Sequence, residues 1–413
     1  MSDAPAIRRV VIPDPSLISM AGHHYNYTRA VAEAVRRRGI EATVLCNQSA
    51  EDRVVRDVQA MPFFQVATYA GLKMQPDVPG VPLDPIVAHG RLLMHINHYA
   101  ASEFNHLASF LGPRDLMFIH TVKMTQLVAI TQALMSIDEA RRPVTSILLR
   151  FLVENPLEIA LLQMCGATLG DPKMRTRFCT DTVELAALNG NIVRTAIDVV
   201  PIPHAPHSRK PGEAARDFIP DLAAGAVVVG YLGNASAGRG FLFRREVIEI
   251  VAAGTPRPCH FLMQLGTAEV TPETQKEAWR LHALAGPGLT VVVETLSRED
   301  YYDFLGRCDI IVVGYSPDAY RYGSSGVFTE AASAGKVTVI PAGTAMEREA
   351  RQFGTGFVSF SEFTSAAIGA ALRAALADYP ALAAKAKAAA EGMVRHHNAD
   401  NLVDYLLALG ARR

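Results

Sequence analysis

Short β-branched runs alternate with amphipathic helical segments along this chain, then do so again in its second half, and no other feature limits the fold as strongly. Residues 9–13 form such a run. A proline-containing loop and the stretch Ala21-Gly22-His23-His24-Tyr25-Asn26-Tyr27-Thr28 follow, leading into an amphipathic helix that ends at Arg38 and Gly39. Residues 41–46 supply the next strand and complete a βαβ unit. Repeated units of this kind predict a doubly wound α/β architecture, a parallel sheet covered by helices on both faces. Ligands of such sheets gather beyond the carboxyl ends of the strands, and Gly22, His23 and His24 fall there.

The alternation continues with a helix over 86–111, a buried-type strand over 115–120 ending on His120, a helix over 124–137 and a strand over 145–151. A helix over 155–169, the segment 175–180, a helix from Asp181 and a short strand over 197–202 close the first half. Residues 66–85, with Pro76, Pro79, Pro82 and Pro85, read as a loop able to bear on substrate choice. A chain of 413 residues exceeds the length at which one core usually stops growing, so two domains of roughly 200 residues are expected. The shift to Pro, His, Arg, Lys and Gly over 204–225 marks the linker between a domain at 1–203 and a second at 226–395, with a last amphipathic helix in 396–413.

The second domain opens on a very apolar strand over 226–232, the turn from Gly233 through Asn234 and Arg239 to Gly240, and a helix from Leu242. Further strands are expected at 260–265, 290–294 (ending on Glu294), 309–314 and 336–340. Ser297 with Asp300 reads as a capping pair, and the Ala-rich stretch 365–391 is helical by propensity. Between the last two strands lies Tyr322-Gly323-Ser324-Ser325-Gly326-Val327, opening a helix that carries Glu330. A strand that feeds a helix through a Gly/Ser turn leaves backbone N–H groups and the positive end of the helix dipole facing outward, a fit for phosphate. Two such turns in one sheet can converge on one diphosphate, and Arg239 adds a permanent cation able to hold phosphate oxygens through several N–H groups. Glu330, one helical turn below the second loop, is placed to accept hydrogen bonds from paired hydroxyls such as those of a ribose.

A formal net charge of −1 excludes a general basic surface for nucleic acid, and the cluster Arg36-Arg37-Arg38 reads as a solvated helix end. Five scattered cysteines with no C-x-x-C encode neither a disulfide framework nor a zinc site, as expected of reduced thiols in a cytoplasmic protein. Residues 7–12 are too short and too charged for a signal sequence, and no apolar run approaches the ~20 residues that span a bilayer. Peripheral membrane contact at one face stays open. The turn after the first strand lacks G-x-G-x-x-G, which argues against a dinucleotide-dependent dehydrogenase.

Taken in this order, the residues resemble the GT-B-fold nucleotide-sugar glycosyltransferases, specifically the family-4-like retaining group, over most of the chain and most strongly over 226–356. In that family a strand-Gly-Arg-Lys-Gly turn opens the second domain, and a Glu-x7-Glu-Ala-x-Ala-x-Gly-x-Pro-Val-Ile pattern carries the donor site. Gly233 to Gly240, with Arg239-Gly240 at the Lys-Gly position, is similar to the first, and 330–340 (EAASAGKVTVI) to the second. The resemblance implies two Rossmann-like domains facing across a cleft, with the last helix crossing back onto the first. It also implies a nucleoside-diphosphate sugar as donor, a glycan, lipid-linked or small-molecule acceptor, transfer with retention, and no cofactor or metal. No Asp-x-Asp motif stands beside the phosphate turns. His120, Arg239 and Glu330 are the implied catalytic residues. Gly22, His23, Asn234, Gly240, Glu294, Tyr322, Ser324, Ser325, Gly326 and Val327 join Glu330 in the implied donor site. Two positions depart from the family pattern: Asn234 replaces its first arginine, and Tyr322 replaces the glutamate that contacts the donor sugar. A GT-B epimerase or hydrolase and an inactive nucleotide-binding scaffold are the alternatives.

Overall fold

The computed structural model describes residues 7–20, 22–68, 84–204, 213–219, 221–233, 236–255, 257–265 and 271–411. Most of the loop at 66–85, part of the linker and Asn234 lie outside them. By internal contacts the chain divides into two compact units, Met1–Pro203 with Ala399–Arg413, and His204–Asn398.

The first unit runs β1 (Arg9–Pro13), α1 (His23–Arg37), β2 (Glu41–Asn47), α2 (Asp52–Val58), β3 (Ala60–Phe64), α3 (Pro85–Ser109) and β4 (Asp115–Ile119). It continues with α4 (Met124–Ser136), β5 (Val144–Leu148), α5 (Pro156–Leu169), β6 (Thr176–Thr180), α6 (Val183–Val193) and β7 (Asp198–Val199). All pairings are parallel, in the order β3-β2-β1-β4-β5-β6-β7. Every residue of β4 and β5 is buried, as expected for strands covered on both faces. α2 and β3 fall in a stretch to which the sequence pattern assigned no element. Pro62 cannot donate to a ladder, and β3 accommodates it by taking the sheet edge beside β2.

The second unit runs β8 (Val227–Tyr231), α7 (Arg244–Ala252), β9 (Cys259–Gln264), α8 (Pro272–Ala283), β10 (Leu289–Val292), α9 (Arg298–Arg307) and β11 (Ile310–Val312). Then come α10 (Gly326–Ser333), β12 (Val337–Pro341), α11 (Ala345–Phe353), β13 (Phe357–Phe360), α12 (Ser365–Ala377) and α13 (Tyr379–His396). Its six strands repeat the topology, in parallel order β10-β9-β8-β11-β12-β13. In each unit the strand order therefore reverses beside the first strand, between β1 and β4 and between β8 and β11. A crevice for ligands opens at such a reversal.

One local expectation is corrected and two others hold. The helix expected from Leu242 begins at Arg244, because Gly240 takes a left-handed conformation and Phe241–Phe243 form a 3-10 turn. The Ala-rich stretch forms helices as expected, α12 and α13, which part at Asp378 where Pro380 in the first turn of α13 has no N–H to offer the preceding helix. Ser297 caps α9 as expected, accepting from the Asp300 N–H, and the Asp300 carboxylate lies 3.6 Å from Arg216.

The last helix, α14 (Ala399–Ala411), packs against α1, β4 and β5 and buries Leu402, Val403 and Leu406. This contact also corrects the reading of the arginine cluster. Arg38 donates to Asp400 and Asp404, each at 2.6 Å, Arg37 donates to Asp400, and Arg36 reaches the Val58 carbonyl. Two of the three arginines thus hold the returning helix.

Candidate functional site

In the second unit, the turn after β8 and the loop after β11 meet at the reversal of strand order. Gly240 shows why the turn needs its glycine: φ is +67°, and an added Cβ would lie 2.2 Å from the Gly314 carbonyl oxygen. The Ser316 N–H donates to the Gly238 carbonyl at 2.9 Å, stitching the two segments together. On the other side of the turn, a Cβ on Gly233 would sit 3.7 Å from Val327 Cγ2 and 3.7 Å from Arg239 Nη1. Both phosphate-type turns and Arg239 therefore occupy one small region.

Ser325 caps α10, its hydroxyl accepting the Phe328 N–H at 3.2 Å. The N–H groups of Gly326 and Val327 are left at the open end of the helix. Arg239 is half-buried, with Nε donating to the Tyr320 hydroxyl at 3.1 Å and the guanidinium 5.5 Å from the Tyr315 ring centre. Tyr315 is buried, so the guanidinium rests beside the ring of a core tyrosine. Tyr322 and Ser324 lie half-buried in the loop between β11 and α10.

Glu330 projects from the second turn of α10 and accepts a short hydrogen bond from the Tyr301 hydroxyl of α9. Burial raises its pKa to about 7, against the opposing influence of the Tyr301 bond and the Arg298 charge. Glu294 is exposed beyond β10 and accepts from Arg216 at 2.6 Å.

Behind the turn lies a residue that the sequence did not single out. Arg244 is 2% exposed, with its guanidinium 4.9 Å from the ring centres of both Tyr231 and Phe241, and burial lowers its pKa to about 10. It donates to the Gln264 carbonyl, while the Gln264 side chain accepts the Gly233 N–H at 3.2 Å. Gln264 ties the buried cation to the turn.

The first unit carries a different group at its own reversal point. Asp14 follows β1, His120 follows β4, and His24 and Thr28 lie on α1. His24 Nδ1 stands 2.7 Å from Asp14 Oδ1, and His120 Nε2 stands 3.1 Å from Asp14 Oδ2. Thr28 Oγ1 donates to Asp14 Oδ2 at 2.9 Å and lies 2.8 Å from His120 Nε2. His120 Nδ1 faces Thr121 Oγ1 at 3.0 Å, and its ring stacks on Tyr27 with centres 4.7 Å apart. Burial alone would raise the Asp14 pKa; His120 and His24 outweigh it and hold the carboxyl well below its usual range. Burial lowers the pKa of His120 despite the adjacent carboxylate.

Gly22, the N-cap residue of α1, has φ +85° and ψ −172°, a conformation suited to glycine, and with His23 it forms the exposed start of the helix. His120 is wholly buried, with both ring nitrogens engaged inside the unit. Asp14 escaped sequence reading, although the strand-end rule that pointed to Gly22 applies to it directly. Tyr301, Tyr315 and Tyr320 gave no local signal, since their partners are brought to them by the fold.

No protein-family model matches the chain, and no curated protein matches it significantly. Solved structures do. HepE from Anabaena in complex with UDP and glucose superposes with a TM-score of 0.61 at 14% identity, covering 97% of this chain and 99% of that one. A glycosyltransferase from Rickettsia africae gives 0.63 at 10% identity over 98% of both chains. Sucrose-phosphate synthase from Thermosynechococcus elongatus gives 0.62 at 13% identity, covering 97% and 96%. The chain has the GT-B glycosyltransferase fold. At these identities the likeness is one of architecture, and the reaction has to be argued from the site.

Proposed function

We propose that the protein transfers a sugar from a nucleoside-diphosphate donor to an acceptor hydroxyl on a glycan, a lipid-linked carrier or a small molecule. The observation that carries this reading is the meeting of the two N–H-bearing turns around Arg239 in the second unit. The departing diphosphate is the hardest charge to stabilise in such a reaction, and fixed N–H dipoles with a guanidinium supply that stabilisation without a metal at the phosphates. Gly240, Ser325, Gly326 and Val327 shape and line the diphosphate position, with Ser324 beside the second turn; Asn234, outside the described residues, is assigned to the donor from its place in the sequence alone. Glu330 receives the ribose hydroxyls, for which Tyr301 holds its place. Tyr322 stands on the sugar side, where it sets donor preference.

In the first unit, Gly22 and His23 are assigned to the substrate side, and His120 acts through the start of α1 that it anchors. Glu294, held by Arg216, is assigned to the donor side of the second unit. Transfer proceeds with retention: the acceptor attacks the face that the leaving group quits, and a phosphate oxygen takes the acceptor proton. Among the described residues no helix is long and apolar enough to cross a membrane, so a lipid-linked acceptor would be met by peripheral contact.

Thermal unfolding with uridine, guanosine and adenosine diphosphates tests the reading. At least one should raise the Tm, and Arg239→Ala should abolish the rise; no shift with any of them contradicts the proposal. Incubation with mixed nucleotide sugars and acceptors, followed by mass spectrometry and NMR of the new anomeric proton, then reports turnover and stereochemistry. Binding without turnover would make the protein a nucleotide-binding scaffold, and release of free sugar at full rate without acceptor would make it a hydrolase.

A further inference from the structure

Of the group at the β1/β4 reversal the transfer reading draws on His120 alone, and on that only through the helix it anchors. One carboxylate and two imidazoles converge there from three separate segments, the end of β1, the first turn of α1 and the end of β4. Asp14, His24 and His120 are 2%, 9% and 0% exposed, and one ligand atom from each lies within 4.8 Å of the others. Three donors of this kind are unusual in a core, where buried charges are either paired or coordinate a metal.

We propose that Asp14, His24 and His120 form a binding site for a divalent first-row transition ion of the zinc class, held by one carboxylate oxygen and two imidazole nitrogens. The separations suit an ion. Nitrogen and oxygen ligands about 2.0–2.2 Å from one metal stand roughly 3–3.6 Å from each other. His24 Nδ1 and His120 Nε2, at 2.7 and 3.1 Å from the two carboxylate oxygens, need move only slightly to reach that spacing. Both nitrogens face the carboxylate.

The surroundings of His120 and Asp14 match those of metal ligands as well. A ligating histidine normally has its other ring nitrogen hydrogen-bonded, which fixes ring orientation and tautomer. His120 meets this through Nδ1 and Thr121, while Asp14 Oδ1 accepts the Ser16 N–H at 3.2 Å. Thr28 Oγ1, against both Asp14 Oδ2 and His120 Nε2, is an oxygen placed to orient the carboxylate or to serve as a fourth ligand. The two imidazole donors favour zinc-like ions over calcium or magnesium, and Thr28 as a fourth ligand would close the shell as in a structural site. Such an ion would pin the start of α1 to two strand ends. The assignment does not depend on the transferase reading, because the residues proposed for the diphosphate belong to the other unit.

Isosteric variants separate a metal site from a hydrogen-bonded cluster. In His24→Asn the amide nitrogen takes the place of Nδ1, and in His120→Gln that of Nε2. Each keeps a hydrogen-bond donor for Asp14 but removes a metal ligand. Untagged protein stripped with chelator and titrated with Co2+ should bind one equivalent with visible d–d absorption, and Zn2+ should displace it and raise the Tm. Both variants should lose more than ~100-fold in affinity, beyond what outer-shell changes cost. Wild-type protein that gains neither the Co2+ spectrum nor thermal stability overturns the proposal, as do folded variants that bind like wild type. Should a variant not fold, X-ray absorption at the zinc edge of the wild-type protein decides: two imidazoles in the coordination shell support the site, and their absence refutes it.

Discussion

Replacing Glu330 with glutamine should stabilise the protein, and only at neutral to alkaline pH. The carboxyl is buried against Tyr301, and its pKa rises from the ordinary 4.5 to about 7. As pH climbs, the unfolded chain gives up its proton first, so the folded state carries an excess proton between about pH 4.5 and 7. Stability is full below that window, falls across it and is level above. The difference amounts to about 3 kcal/mol at pH 8, an upper bound because the side chain keeps some contact with solvent. Glutamine fills the same space and can accept the same Tyr301 hydrogen bond, yet has no proton to lose. In calorimetry, Glu330→Gln should match wild type at pH 5 and unfold later at pH 8, by up to roughly 6–12 °C for a unit of this size. Nucleoside diphosphate affinity should fall in the same variant, since stability would have been given up to place a carboxylate at the ribose. A stability difference that does not change with pH would refute the reasoning, and so would a less stable variant at pH 8.

Tyr301→Phe removes a bond that favours the ionised form of Glu330, so the pH midpoint of nucleoside diphosphate binding should move upward. Isothermal titration across neutral pH checks this, and an unmoved midpoint would detach Tyr301 from the site. Gly240→Ala forces a left-handed residue and a Cβ onto the Gly314 carbonyl, which should cost more than about 2 kcal/mol. A loss below about 0.5 kcal/mol in denaturant unfolding would contradict the close approach described. Ser325→Ala should cost about 1 kcal/mol through the lost cap and weaken diphosphate binding as well. Lost stability with unchanged binding would leave Ser325 a cap alone.

Signals carried within a few neighbouring residues were legible in the sequence. Apolar runs bounded by Gly and Pro gave the strands, and placing functional residues at strand ends led to Gly22, Arg239 and the Ser325 loop. The β3 strand was hidden because Pro62 breaks the usual pattern, and only its edge position reveals how it is tolerated. The helix expected from Leu242 missed the effect of Gly240 on the following turn. Arg37 and Arg38 looked solvent-facing because their carboxylate partners lie far along the chain, and Arg36 because its partner is a backbone carbonyl. The tyrosines around Arg239 and Glu330 could not be read for the same reason: an aromatic residue on a loop or helix says nothing about which charge the fold will bring to it. Asp14 differs, for its position directly after a strand was visible and simply not weighed.

The docking of α14 on α1 has a bearing on how the chain is made. Arg38 meets Asp404 across 366 positions of sequence, so the first unit cannot be finished when its own 203 residues have left the ribosome. All of His204–Asn398 must be translated before the closing helix exists, a delay of roughly 10–40 s at usual elongation rates. Throughout that interval the faces of α1, β4 and β5 that receive Leu402, Val403 and Leu406 lie open in the nascent chain. The second unit, uninterrupted in sequence, faces no such wait. The later-made second unit can therefore complete its fold before the first does, and a chain cut short before α14 would leave a first unit that never closes.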